Sequence, residues 1–196
     1  MGLDDFSCGW LGSEMRFVFI TLFVGVWTIF FVSCGQEDGF TTHYADPDNQ
    51  FNYGRTGKIS EGNYKDGKKE GHWVFYTRDG KKINWEANFR NGKKQGVVTY
   101  WYNGKKSGRK SSETNYKDDK PSGLSKHYYK NGKLSSAAIW YTISDTTYLK
   151  DIRSLKPNGD ICPLTNVKDG TGLFVMYDEN GEEEERAVYK NGVLFR

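Results

Sequence analysis

The chain has 196 residues, of which 28 are basic and 25 acidic, so its net charge at neutral pH is only +3. Because the positive and negative charges nearly balance, the chain lacks the strongly basic character of a nucleic-acid-binding protein. Aromatic residues make up 16% of the chain, 23 residues are glycine and the mean hydropathy is −0.76. This composition excludes a thick aliphatic core and favours an aromatic-rich sheet with many turns.

An uncharged apolar stretch runs from Phe17 to Val32. It is shorter than the roughly 20 residues of a membrane-spanning helix but has the length of a signal-peptide core. Arg16 precedes it, where a signal peptide carries positive charge. We therefore predict that residues 1–33 form an apolar helical export signal. The residues upstream of Met15 include Asp4, Asp5 and Glu14, whose negative charge does not suit a signal peptide. Met15 is therefore the predicted start of translation.

The apolar stretch ends in Val32-Ser33-Cys34-Gly35, which resembles the bacterial lipobox. The resemblance implies cleavage before Cys34 and lipid attachment to it. The alternative is an uncleaved anchor helix with an incidental cysteine. The following Gln36-Glu37-Asp38 resembles the acidic signals that send lipoproteins to the cell surface, although it also suits a solvated tether. We expect an exported, lipid-anchored protein of the outer membrane or cell surface, with residues 34–50 as a polar tether.

From residue 51 to residue 196 the sequence repeats itself. A string of Tyr or Phe, Lys or Arg, and Asn or Asp begins at Tyr64, Phe89 and Tyr116, and a turn glycine follows the first two strings. A glycine then precedes an aromatic residue by five positions, at Gly71 and Tyr76, Gly96 and Trp101, Gly123 and Tyr128, and Gly172 and Tyr177. This recurrence predicts a tandem array of similar units.

Each unit has the sequence pattern of a β-hairpin. Asn-Gly and Asp-Gly pairs favour tight hairpin turns, because both positions adopt positive φ at little cost. Between two such turns, apolar and polar residues alternate from Ile83 to Phe89, as in a half-buried strand. We therefore predict an all-β fold, an elongated antiparallel meander of stacked β-hairpin repeats over residues 51–196. Residues 142–169 fit the pattern poorly and are predicted to be a degenerate or inserted unit.

The combination of Tyr-Lys-Asp-Gly-Lys at Tyr64, Gly-His-Trp-Val-Phe-Tyr at Gly71 and the later Asn-Gly-Lys resembles the bacterial MORN-repeat variant. In that family each repeat is a hairpin, and many members are grouped as YwqK-type antitoxins. The resemblance implies a binding scaffold and, in the antitoxin sense, a toxin as its partner. The chain departs from the pattern where Asp119 replaces a turn glycine.

The sequence carries no catalytic motif, so we expect no enzyme, no cofactor, no metal site and no small-molecule substrate. His43, His72 and His127 fall at unrelated positions of the repeat, without metal-ligand spacing. Cys162 lacks a comparable histidine motif and is expected to be a passive thiol. The run from Glu182 to Glu185 is either a solvated edge or an acidic patch for a basic partner.

Aromatic residues that recur at fixed repeat positions are expected to pack mainly in the core. A single sheet has two faces, however, and alternation cannot bury the aromatic residues of both. The remaining exposed aromatics would supply binding contacts. The candidate interaction surface consists of Trp73, Tyr76, Tyr100, Trp101, Tyr102, Tyr128 and Tyr177. We expect this surface to bind a protein partner, with glycan or cell-wall binding as the alternative, and the lipid to hold the chain at a membrane.

Overall fold

A computed structural model describes residues 38–45, 57–102, 105 and 108–195, together with the backbone of residues 16–19 and 29–32. The chain divides into two compact units, Met1–Glu37 and Asp38–Arg196. In the first unit, β1 (Arg16–Phe19) and β2 (Ile29–Val32) pair antiparallel. The rest of the predicted signal helix, the cleavage site and Cys34 lie outside the described residues.

The second unit consists of two antiparallel sheets, and in each the strands pair in chain order. The larger has nine strands: β3 (Gly39–Tyr44), β4 (Lys58–Lys65), β5 (Lys68–Tyr76), β6 (Ile83–Arg90), β7 (Lys93–Trp101), β8 (Lys110–Lys117), β9 (Lys120–Tyr128), β10 (Leu134–Ile143) and β11 (Thr146–Ser154). The smaller has three: β12 (Gly172–Tyr177), β13 (Glu183–Lys190) and β14 (Val193–Phe195). The predicted all-β antiparallel meander is confirmed.

The first strand of the larger sheet lies inside the segment predicted to be a tether. Residues 39–44 form β3, which pairs antiparallel with β4. Phe40-Thr41-Thr42-His43-Tyr44 is rich in β-branched and aromatic residues, which suit a strand. The expectation of an irregular tether over residues 34–50 therefore fails for these six residues, because their strand propensity finds a partner in β4.

Hairpin turns of one kind recur through the second unit at intervals of 22 to 27 residues. Each has two central residues with positive φ, as in a type I′ turn. The pairs are Asp66 and Gly67, Asn91 and Gly92, Asp118 and Asp119, Ser144 and Asp145, Asp169 and Gly170, and Asn191 and Gly192. Successive turns are also linked, because the Gly92 N–H donates to the Lys69 carbonyl at 2.9 Å and the Asp119 N–H to the Lys94 carbonyl at 3.2 Å.

A second kind of turn closes the other ends of the hairpins. In each, a glycine with positive φ donates its N–H to the carbonyl three residues earlier. Among the described residues, the glycines of this kind are Gly80, Gly108, Gly132, Gly159 and Gly181. Residues 142–169 contain a turn of each kind together with all of β11. Its first part therefore continues the meander as far as the end of β11, although its sequence resembles the other units poorly, and residues 155–169 lead to the smaller sheet.

The nine-stranded sheet has two different faces. Its first face carries a cluster around the buried side chains of Trp73, Ala87, Phe89 and Val98. Further along this face, Ala138 and Leu149 form a second cluster with Val167. Phe174 of β12 and Tyr189 of β13 pack against this second cluster, so the smaller sheet covers that end of the first face. The partly buried side chains packed on the first cluster come, among the described residues, from the nine-stranded sheet itself, namely Tyr64, Phe75, Trp85, Tyr100 and Tyr116.

Candidate functional site

Three aromatic rings stack across neighbouring strands on the uncovered part of the first face. Phe75, Trp85 and Tyr100 are directly opposite one another in the registers of β5, β6 and β7. The Phe75 and Trp85 rings are 3.7 Å apart and nearly parallel at 3°, and the Trp85 and Tyr100 rings are 5.5 Å apart at 21°. All three side chains are half-buried. We call this row the aromatic ladder.

The ladder ends abruptly toward β8. The same row of the sheet continues with Ser112 of β8, His127 of β9 and Ser136 of β10. Among the described strands of this sheet, the row therefore carries Phe, Trp or Tyr only on β5, β6 and β7. Half-exposed aromatic rings that stand side by side form the kind of surface that supplies most of the binding energy at protein interfaces.

Two lysines lie over the rings of this face. Lys69 Nζ is 4.6 Å from the centroid of Trp73, 4.7 Å from that of Phe75 and 5.5 Å from that of Phe89. Lys94 Nζ, one repeat later, is 5.8 Å from the Trp85 centroid and 5.1 Å from that of Tyr116. Burial, followed by the nearby positive charge of Lys94, lowers the pKa of Lys69. Cation–π attraction offsets part of the cost of holding these charges against the rings.

The second face of the sheet carries a row of glutamates that are already paired. Glu113 accepts a hydrogen bond from Tyr128 Oη at 2.6 Å and one from Lys110 Nζ. Glu61, at the equivalent position of β4, is held in the same way by Tyr76 and Lys58. Burial, together with the Glu113 carboxylate, raises the pKa of Tyr128 to about 12. These contacts cross-link adjacent strands and leave the carboxylates satisfied.

Glu86 repeats this arrangement with different partners. Lys105 Nζ lies 2.8 Å from its carboxylate and His72 Nε2 lies 3.5 Å away. Trp101 stands where the other two hairpins have a tyrosine, and its buried Nε1 has no hydrogen-bond partner among the described residues. Lys105 and Lys110, on either side of the turn between β7 and β8, therefore each pair with a glutamate of the second face.

A cleft of about 530 Å³ opens between the covered end of the first face and the smaller sheet. Its lining combines the aromatic residues Trp140, Phe174 and Tyr189 with the acidic residues Glu179 and Glu184 and with Ser111, Ser135 and Ser136. Glu179 Oε1 accepts the Lys130 N–H at 2.9 Å and so ties the two sheets together.

The seven residues predicted as an interaction surface do not form one surface. Trp73 has no exposed area and Tyr177 is 8% exposed, so packing removes both from any contact surface. Alternation along the strands puts Tyr100 on the first face and Tyr76, Trp101 and Tyr128 on the second. The Tyr102 hydroxyl donates to the Tyr128 carbonyl at 2.7 Å, and Tyr102 lines the cleft.

The sequence prediction missed Phe75 and Trp85 of the ladder and the two lysines above the rings, Lys69 and Lys94. The alternation from Ile83 to Phe89 places Trp85 on one face of a strand but does not indicate which face is exposed. Lys69 and Lys94 occupy the same position of successive repeats, two residues after the turn glycine. That recurrence was the available signal, but lysines after a turn usually lie in solvent.

The remaining polar candidates have structural partners. His43 stacks on Trp73 at 5.9 Å and accepts or donates a hydrogen bond with the Tyr64 hydroxyl. Cys162 is buried, and its Sγ lies 3.1 Å from the Tyr177 hydroxyl. The Glu182–Glu185 run lies at the start of β13, where Glu183 and Glu185 pair with β12 and, among the described residues, only the later part of the strand pairs with β14.

In the described part of the chain, no group of three or more His, Cys, Asp or Glu side chains could hold a metal ion. Nor do those residues include a helix of sufficient length and apolarity to cross a membrane. In comparisons with known proteins, no family model matches the sequence, and no curated protein or solved structure matches the chain.

Proposed function

We propose that this chain is a non-catalytic, lipid-anchored protein of the bacterial cell envelope that binds a protein partner through the aromatic ladder. The observation that carries the proposal is the stacked row of Phe75, Trp85 and Tyr100 on a part of the sheet that no described element covers. Aromatic side chains lose little conformational entropy on binding and bury a large area, which suits them to protein recognition.

The repeat architecture supports a scaffold role. A meander grows by adding hairpins, and neighbouring hairpins present equivalent positions at regular spacing. We propose that these units are MORN-like and that the sheet is elongated by their stacking. The resemblance to YwqK-type antitoxins supports a partner of the toxin kind, neutralised in the envelope by an immunity-type interaction.

The lipid anchor rests on the Val32-Ser33-Cys34-Gly35 motif after the apolar stretch. Export and lipid attachment would keep the sheet at a membrane surface, with stable anchoring supplied by more than one acyl chain. This location favours a partner in the envelope over a cytoplasmic one.

The test is purification of the full-length protein from envelope fractions of the cells that make it. Wild type is compared with Trp85→Ala on the ladder and Thr99→Ala on the second face of a neighbouring strand. We expect a protein at stoichiometric yield with wild type and Thr99→Ala, and its loss with Trp85→Ala. Recovery of no stoichiometric protein, or retention by a folded Trp85→Ala variant, would overturn the proposal.

The cleft supports a second candidate function, glycan binding. Its aromatic lining residues offer stacking surfaces for sugar rings, and its acidic and serine residues offer hydrogen-bond partners, within a volume usual for ligand sites. Glycan-array binding that is lost in Tyr189→Ala and Glu184→Gln but retained in Trp85→Ala would support this function over the first.

A further inference from the structure

The two lysines over the aromatic ladder hold positive charge, and neither forms an ion pair among the described residues. Lys69 and Lys94 are half-buried over aromatic rings. Each of the ion pairs found among the described residues involves other cations, at Lys58, His72, Lys105, Lys110, Lys120 and Arg186. Placing a charge against apolar surface is unfavourable unless an opposite charge or good hydrogen bonds compensate for the lost water.

The two lysines also disfavour each other. After burial, the charge of Lys94 is the next cause that lowers the pKa of Lys69. Repulsion of this kind is relieved when an anion binds near both groups, because each ammonium then gains an opposite charge. The ring faces can at the same time pack against the apolar parts of the same ligand.

The lysines and the ladder are restricted to the same two hairpins. In the third hairpin, formed by β8 and β9, Pro121 occupies the position of Lys69 and Lys94. It lies two residues after Asp119, which replaces the turn glycine. The ladder row changes from Tyr100 to Ser112 at the same hairpin. The ladder rings and the two lysines therefore share the adjacent strands β5, β6 and β7 and form a single mixed surface, distinct from the general excess of lysines along the chain.

We propose that the occupant of the aromatic ladder is an acidic segment of a partner protein, whose carboxylates pair with Lys69 and Lys94 while its apolar side chains cover Phe75 and Trp85. The proposal rests on the proposed function and specifies the chemistry of the partner. A protein segment is favoured over a membrane surface because the rings form a single row across three strands, a linear path that the apolar side chains of one peptide segment can follow while its carboxylates reach the lysines.

The chain offers a matched control for the charges. Lys68 and Lys93 each directly precede a ladder lysine, are exposed, and point to the other side of their strand by alternation. Removing them changes the net charge of the protein by the same amount without touching the ladder. General attraction of an anion would weaken equally with either pair of substitutions, whereas pairing at the ladder would weaken with one pair only.

The test measures binding of the full-length protein to a synthetic peptide that alternates Glu and Tyr, with a peptide that alternates Gln and Tyr as reference. We expect the Glu peptide to bind more tightly, with an affinity that falls as salt rises. Lys69→Met with Lys94→Met should weaken binding roughly tenfold or more, as removal of close charge pairs does at interfaces. Lys68→Met with Lys93→Met should change it by less than about threefold, because exposed charges contribute little.

A Lys69→Arg, Lys94→Arg variant shows whether the Met variants lose affinity through lost charge or through a loss of fold. It keeps both charges and should retain most of the affinity. Equal binding of the two peptides, equal loss in the two Met variants, or binding to vesicles of anionic phospholipid in place of the Glu peptide would overturn the inference. If the envelope partner is lost in Trp85→Ala but kept in Lys69→Met with Lys94→Met, the inference fails while the proposed function stands. If the partner survives both changes, both fail.

Discussion

The indole ring of Trp73 lies directly over Gly62 on the neighbouring strand, where a Cβ atom would overlap the ring. The Trp73 Nε1 donates to the Asn63 carbonyl at 2.9 Å, which fixes the ring in this position. Gly62 is buried and its φ is not positive, so the requirement for glycine here comes from space and not from backbone conformation.

In the later hairpins, other pairs of residues occupy the positions of Gly62 and Trp73. The second combines Ala87 with Val98, both buried in the cluster of Trp73. The third combines Thr114 with Ser125, whose hydroxyls lie 2.8 Å apart. A smaller residue on one strand thus accompanies a larger one on the other, and the largest side chain faces the glycine.

Gly62→Ala should lower the free energy of unfolding by about 1–3 kcal/mol, the usual cost of overpacking a filled site. Trp73→Leu in the same chain should recover part of the cost of the alanine, because it makes room for the new methyl group. Chemical denaturation of the two single variants and the double variant measures this coupling. Additive effects would contradict the direct contact.

Trp101→Tyr should stabilise the fold relative to Trp101→Phe by about 1 kcal/mol, the usual contribution of a hydrogen bond. The tyrosine hydroxyl would donate to Glu86, as Tyr128 donates to Glu113 at 2.6 Å in the next hairpin. The comparison with phenylalanine leaves ring size nearly unchanged and isolates the hydroxyl. Equal denaturation midpoints for the two variants would show that position 101 lacks the geometry of position 128.

Acid should weaken the sheet through Glu61 and Glu113. Burial acts to raise the pKa of each carboxyl, but hydrogen bonds from a tyrosine and a lysine bring each pKa below its usual value. A depressed pKa stabilises the folded state fully above the unfolded-state value, and this contribution is lost as the pH falls through the folded-state value. Unfolding measured from neutral pH downward should therefore show a loss of stability below about pH 4.3, the ordinary Glu pKa.

Glu113→Gln provides the control for that titration, because it removes one of the two carboxylates. Its loss of stability between neutral and acidic pH should be smaller than that of wild type. An identical pH dependence in the two proteins would mean that the Glu113 pKa is the same in the folded and unfolded states.

Cys34→Ala should abolish metabolic labelling of the protein with a radioactive or clickable fatty acid and release it from the membrane fraction. The thiol is the attachment point in the predicted lipobox, so no other residue can replace it. Cys162→Ala is the matched control and should retain labelling. Labelling that persists in Cys34→Ala would contradict the lipid anchor.

The repetition of turn sequences made the antiparallel meander predictable, since Asp66-Gly67 and Asn91-Gly92 encode their turns locally. The turn at Ser144 and Asp145 was not predicted because it contains no glycine, and its conformation depends on the pairing of β10 with β11. Strand β3 was not predicted because a six-residue strand depends on pairing with its neighbour β4, which its strand-forming residues alone do not reveal.

The candidate site was predictable in kind but not in position. The sequence indicated that some aromatic residues must remain exposed. It could not indicate that Trp73 would be buried, because this follows from its contact with Gly62 on another strand. Nor could it locate Lys69 over three rings, since those rings belong to two strands that come together only in the folded sheet.

The central claim is that the partner binds the first face of the sheet at the ladder. Its most direct test places a photo-crosslinking amino acid at position 100, on the ladder, or at position 99, which the same strand turns toward the second face. In cells that make the protein, we predict a discrete adduct with a protein partner from position 100 and not from position 99. Adducts from position 99 alone, or equal adducts from both positions, would contradict the claim.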